Sequence, residues 1–334
     1  MRVSRRHVLK ASISIAVAGE GWVLPQVARA QSVAGARTLT AQTPVLTIAF
    51  EEHGDASGFP VILLHGFPDD VRAWDAVVPP LAQQGYRVIV PYLRGHGATR
   101  FREASALRTG QQAAMGQDVI DLADALRLER FAVAGFDWGN RAACIAAALH
   151  PSRVRAAALI HGYTIQNTFA PPRPASPERE RALWYQWYFN TERGRAGLER
   201  DRRGICRLLW KTWSPTWRFT DAVFDRTAVS FDNPDFVDVV VHSYRHRNAN
   251  AAGEPRYEEI ERRLAQRPKI EVPSIVLHGA SDGVAGAPPD EAAERAMLSS
   301  FKGRRVVRGA GHFLPREKPD VVSSALLELL VATR

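Results

Sequence analysis

Cysteine is almost absent: Cys144 and Cys206 are the only two in 334 residues. They could pair, but one falls in an expected helix and the other far along the chain. Both therefore read as isolated small apolar residues. A glycine-rich phosphate loop is missing, as are H-E-x-x-H and any Cys/His spacing suited to a metal, so neither a cofactor nor a metal is expected. Basic charge is not gathered into a stripe. The net charge of +9 comes from arginine scattered along the chain, which argues against a nucleic-acid partner. The apolar stretch Ile13 to Val27 is interrupted by Gly19, Glu20 and Gly21. It is too short and too polar to span a membrane, which takes about 20 apolar residues. What remains, with 46% hydrophobic and 24% charged residues, is the composition of a soluble globular protein.

The first thirty residues have the three-part layout of an export signal. Paired arginines in Ser4-Arg5-Arg6-His7-Val8-Leu9-Lys10 precede that apolar stretch, and Ala28-Arg29-Ala30 supplies small residues at the cleavage positions. The arginine pair is similar to the twin-arginine type. The expectation is a bacterial cargo of the twin-arginine export machinery, with residues 1–30 removed. The mature chain would start near Gln31 and lie in the periplasm or outside the cell.

Beyond Gln31, apolar runs alternate with helical patterns. Val45 to Phe50 reads as a first strand after a polar lead-in, with Glu51 to Gly58 as a turn. Val61-Ile62-Leu63-Leu64 is a continuous apolar run of the kind buried on both faces of a parallel sheet, ending at His65-Gly66-Phe67-Pro68. Arg87 to Leu93 is the next strand, and Met115 to Leu128 an amphipathic helix. A strand from Phe131 meets a tight turn at Gly135-Phe136-Asp137-Trp138-Gly139, and a helix of small residues follows. That frame is a nucleophile elbow with Asp137 where a serine usually stands, so an ordinary serine esterase is disfavoured. A carboxylate at such an apex can attack carbon and form an ester. An ordinary helix-capping aspartate is the plainer alternative.

Ala156 to Ile160 is a further strand. The rhythm then stops from about Thr164 to about Arg267, where proline-rich entry residues lead into aromatic helical segments between Trp184 and Trp217. Most of these aromatics are expected to pack as core, and Arg193 to Arg203 to form a solvated face. Strands resume at Val272 to Gly279, followed by Asp282, and at Arg304 to Val307, followed by Gly311-His312-Phe313. Pro319 to Val331 closes the chain as a helix. The order nucleophile, acid, histidine, each after a strand, brings Asp137, Asp282 and His312 to the carboxyl edge of one sheet. The expected fold is α/β, a mostly parallel doubly wound sheet with an inserted helical cap. Residues 31–163 and 268–334 form the core, and 164–267 the cap.

On these motifs the region from about Val45 onward resembles the epoxide hydrolase branch of the α/β-hydrolase superfamily. The resemblance implies Asp137 as nucleophile, His312 as base and Asp282 as its orienting acid. The backbone N–H groups of Phe67 and Trp138 would form the oxyanion hole. It further implies two cap phenols as acids, carried to Tyr185 in Trp184-Tyr185-Gln186 and to Tyr244 in Ser243-Tyr244-Arg245. Tyr188 is the fallback, and Phe67, Trp138 and Tyr188 are expected substrate contacts. The implied partner is a small apolar substrate such as an epoxide. Haloalkane dehalogenases share the frame, but the Asn they commonly carry after H-G is replaced by Phe67, and His161 to Thr168 holds no carboxylate. Arg141, four residues after Asp137, stands where haloacetate dehalogenases hold a substrate carboxylate, which keeps a haloacid reading open. A non-catalytic ligand-binding protein on the same fold is a further alternative, although no triad member is missing.

Overall fold

A computed structural model describes residues 38–171 and 173–333; the expected export signal lies outside the described residues. Nine strands form one sheet: β1 (Thr38–Gln42), β2 (Leu46–Gly54), β3 (Pro60–Leu64), β4 (Arg87–Pro91), β5 (Arg100–Phe101), β6 (Phe131–Phe136), β7 (Val154–Ile160), β8 (Ser274–Gly279) and β9 (Phe301–Val307). The spatial order is β1-β2-β4-β3-β6-β7-β8-β9, with β5 pairing β2. All pairs from β4 to β9 are parallel, and the pairs made by β2 are antiparallel.

The central strands are apolar because they are covered on both faces; every residue of β6 is buried, as the continuous hydrophobic runs require. Helices α1 (Val78–Gln83), α2 (Gln112–Ala125) and α3 (Trp138–Leu149) follow β3, β5 and β6. Seven more, α4 (Pro177–Ala182), α5 (Trp184–Phe189), α6 (Glu192–Arg200), α7 (Arg202–Trp213), α8 (Asp221–Ala228), α9 (Phe236–Arg247) and α10 (Glu258–Ala265), lie between β7 and β8. The chain ends with α11 (Glu291–Met297), α12 (Leu314–Glu317) and α13 (Pro319–Val331). Pairs α2–α3 and α1–α13 pack together against the sheet.

Two local expectations need correction. The polar lead-in is strand β1, an edge strand whose largely exposed residues give no apolar signal. The segment Glu51 to Gly54 is not a turn: β2 continues through it, held by antiparallel pairing to Val90, Ile89, Val88 and Arg87. Both cysteines are free and buried, one in α3 and one in α7.

The inserted helices are built on aromatic packing. Trp210, Trp213, Phe189, Phe224 and Phe231 are fully buried, whereas Trp187 is exposed and donates its indole N–H to Glu180 Oε2 at 2.6 Å. Polar contacts tie this insertion to the loop after β3. The Trp210 indole donates to the Pro68 carbonyl at 2.6 Å, and Thr227 and Ser230 donate to Asp70 at 3.0 and 2.7 Å. Beside them Asp69 is gripped by Arg316, with Nε 2.8 Å from Oδ2.

Gly139 sits so close to β3 that a Cβ would run into the Leu64 carbonyl oxygen. Gly139→Ala is therefore expected to destabilise the fold by about 1–3 kcal/mol, the usual cost of overpacking. Urea unfolding of the variant against wild type checks this, and an unchanged midpoint would refute the close approach.

Candidate active site

Loops at the carboxyl ends of β3, β6, β7, β8 and β9 meet at one place. Asp137 lies between β6 and α3 with φ 53 and ψ −118, a left-handed backbone that is strained for any residue but glycine. Close chain packing holds it there. A Cβ on Gly135 would strike the Gly139 carbonyl, and one on Gly66 would strike Asp137 itself. The next N–H after Gly66, that of Phe67, donates to Asp137 Oδ1 at 2.9 Å. His65 fixes that loop by accepting the Leu93 N–H on Nε2 at 3.0 Å.

His312 follows β9. Its Nε2 lies 3.4 Å from Asp137 Oδ2, and its Nδ1 lies 2.8 Å from Asp282 Oδ2. Asp282, in the loop after β8, accepts the N–H groups of Val284 and Ala285 on Oδ1 at 2.8 and 2.7 Å. Burial opposes charge on all three groups, yet they hold one another ionised. It raises the Asp282 carboxyl, but adjacent His312 outweighs it and holds the group well below the usual carboxylate range. Asp137 is also lowered against its burial, by His312 and then by the N–H groups of Phe67 and Trp138. Burial pulls His312 down, but Asp282 and then Asp137 push it up to about 10. At rest the site is a carboxylate, an imidazolium and a carboxylate in a row.

His161, directly after β7, is a member that sequence reasoning passed over. Its backbone is also left-handed, with φ 89, and its ring stacks on His312 with centroids 4.3 Å apart. Nδ1 accepts the Asp137 N–H at 3.2 Å, which assigns the ring proton to Nε2. That nitrogen faces Asp282 Oδ2 at 3.3 Å and the His312 carbonyl at 3.2 Å. Burial and the neighbouring charge of His312 push it down to about 3, so it stays neutral. A lone histidine after a strand gives no signal by itself.

A cavity of about 380 Å³ opens above these groups, with Asp137, His312 and Tyr185 in its wall. The Tyr185 hydroxyl accepts from Gln186 Nε2 at 3.0 Å. The Tyr244 ring stands edge-on to Tyr185 at 5.2 Å and packs 5.9 Å from Trp138. Burial and then the charge of Asp137 push the Tyr185 phenol up to about 12; burial, followed by neighbouring Tyr185, also raises Tyr244 well above its usual value. Both phenols therefore stay protonated at neutral pH, and of the two only Tyr185 is in the cavity wall.

Three expected substrate contacts are not in the cavity wall. Tyr188 turns its hydroxyl to Gly197 of α6, into the space a Cβ would fill. The rings of Phe67 and Trp138 are buried and stacked at 5.2 Å, so what these residues bring to Asp137 is their backbone N–H. Arg141 does line the cavity, with Arg179 and Arg247. Among the described residues His161, Asp282 and His312 alone gather three metal-type ligand atoms, within 4.8 Å of one another. Those atoms are already paired, and a cation would have to break the His312–Asp282 hydrogen bond.

Residues 60–319 match the alpha/beta hydrolase fold family, and the chain belongs to that family as an enzyme. Epoxide hydrolase A of Mycobacterium tuberculosis is 28% identical, over 84% of this chain and 92% of that one. An epoxide hydrolase of Caballeronia sordidicola is 26% identical, over 82% and 88%. A crystal structure of a candidate epoxide hydrolase from Klebsiella pneumoniae superposes with a TM-score of 0.85 at 40% identity, covering 90% of this chain and 99% of that one.

The charge arrangement sets a pH signature. His312 binds its proton more tightly folded than unfolded, so its contribution to stability is full below about pH 6.5 and is lost as pH rises through about 10. His161 has the opposite sign: with its folded value pushed down to about 3, stability falls as pH drops from about 6.5 toward that value. Nitrogen-15 NMR of labelled histidines is expected to show the His312 ring charged until about pH 10 and the His161 ring neutral throughout the neutral range. A His312 signal titrating near 6.5 would contradict the ion triplet.

Proposed function

We propose that the chain hydrolyses an epoxide to a vicinal diol through an ester on Asp137. The observation that carries this reading is a carboxylate, in place of a hydroxyl, at an elbow apex that faces both the Phe67 N–H and His312 Nε2. The similarity to epoxide hydrolases over most of the chain supports the substrate.

Asp137 attacks a ring carbon, forming a C–O bond as the ring C–O bond breaks. Tyr185 and Tyr244 hold the oxygen and deliver a proton to it, and the phenolate recovers a proton from solvent. Esterification removes the negative charge of Asp137 and with it one of the two carboxylates that keep His312 protonated. His312 then releases its proton to solvent and becomes a base, oriented by Asp282. It deprotonates a water that attacks the Asp137 carbonyl carbon, while the N–H groups of Phe67 and Trp138 stabilise the oxyanion. Collapse frees the diol and restores the carboxylate. The nucleophile and base thus act in sequence because the first step changes the charge beside the second.

His312→Gln is expected to trap the ester, read as a covalent adduct on Asp137 by mass spectrometry after mixing with epoxide. Asp137→Ala is expected to lose at least about 10⁴-fold in activity, as removal of a catalytic nucleophile does elsewhere. An unlabelled His312→Gln protein together with an active Asp137→Ala would rule out the nucleophile.

A second reading, haloacid dehalogenation through the same ester, is favoured by one observation, the presence of Arg141 in the cavity wall. A leaving halide needs no proton, so the phenols separate the two. The double variant Tyr185→Phe/Tyr244→Phe is expected to lose more than about 10²-fold in epoxide opening. Halide release from a haloacetate that survives this change would install the second reading in place of the first.

A further inference from the structure

We propose that Arg141, Arg179 and Arg247 form a carboxylate subsite in the cavity above Asp137, and that the substrate is an epoxide bearing a carboxylate. The subsite rests on geometry of its own; the substrate class rests on the epoxide reading.

The three arginines come from α3, α4 and α9 and share one cavity wall with Asp137, Tyr185 and His312. Their contacts with protein are few and neutral. Arg141 Nε donates to the Thr164 carbonyl at 3.1 Å, and Arg179 Nη1 donates to the Val284 carbonyl. The Arg247 guanidinium lies over the Tyr244 ring at 4.7 Å, with Nε buried and unpaired. Among the described residues none of the three forms an ion pair with a carboxylate. By contrast Arg94 and Arg316, whose side chains are buried, are matched: Arg94 makes two bonds of 2.7 Å to Asp118, and Arg316 grips Asp69. The three cavity arginines are half-buried, and charge partly withdrawn from water is costly unless paired, so the unmatched cluster suits an anion.

Asp137 does not fill that place, because its oxygens are engaged by Phe67 and His312. Three guanidinium groups and the His312 imidazolium face two carboxylates, which leaves a formal surplus of two positive charges. Burial, then the like charge of Arg247, pushes Arg141 down to about 9. Esterification of Asp137 and the proton loss from His312 cancel in charge, so the surplus persists and a substrate carboxylate would be held through the intermediate. Arginine's planar fork suits a carboxylate in two-point contact.

The test uses the full chain with trans-3-phenylglycidate and its neutral primary amide. The acid is expected to exceed the amide in kcat/KM by roughly 10- to 100-fold, the range of charge-assisted hydrogen bonds. That ratio should fall toward one in Arg141→Gln and Arg141→Gln/Arg247→Gln, and recover in part in Arg141→Lys. Should the glutamine variants fail to fold, added salt on wild type serves instead: it should raise KM for the acid and leave that for the amide. Calorimetry with phenylacetate and phenylacetamide reads the subsite without turnover. Equal binding of those two, or an acid-to-amide ratio that neither salt nor substitution moves, overturns the subsite. Selective phenylacetate binding with neither epoxide opened supports the subsite and overturns the epoxide reading.

Discussion

Two buried carboxylates hold one proton between them, and the rest of the site follows from that constraint. His312 favours the charged form of both Asp137 and Asp282 against their burial, and the two carboxylates together raise His312. The backbone supplies the remaining stabilisation. Asp282 takes the N–H groups of Val284 and Ala285, and Asp137 takes that of Phe67. Such donors are free at the ends of parallel strands, where the ladder has stopped and the loop has not yet found partners. The ion triplet and the sheet edge are thus one requirement seen at two scales.

The insertion is not an independent roof. Trp210, Thr227 and Ser230 all bond to the loop that carries Phe67, and the Phe67 ring packs against Tyr244, Phe189 and Trp213. The aromatic network therefore joins the N–H that serves Asp137 to the helices that carry the phenols. The arginines that line the same cavity come from α4 and α9 of the insertion and from α3, so Asp137, Tyr185 and the cationic groups all depend on how the insertion packs on the sheet.

Much of this was legible in the sequence because it is local. The elbow, the H-G-F-P loop and the order Asp137, Asp282, His312 are strand-end features, and strand ends show as the limits of apolar runs. The strand β1 escaped because an edge strand with a solvent face is polar and carries no such limit. Tyr185 stands ahead of Tyr188 by resemblance and not by spacing, since the neighbour that turns Tyr188 away from the cavity is Gly197, on the next helix. His161 and the arginine trio escaped for a tertiary reason. A histidine acquires a role only beside Asp137 and Asp282, and three scattered arginines become a cluster only when α3, α4 and α9 share a wall.

The contacts that aim Asp137 are made by backbone: the absent Cβ atoms of Gly66, Gly135 and Gly139, and the N–H groups of Phe67 and Trp138. The glycines read no side chain, and the N–H groups favour any oxygen acceptor placed at the apex. The frame is therefore a socket indifferent to what is plugged into it, and a new reaction can arise by exchanging one apex side chain and the lining of the wall. Divergence of chemistry at this elbow requires no movement of the main chain.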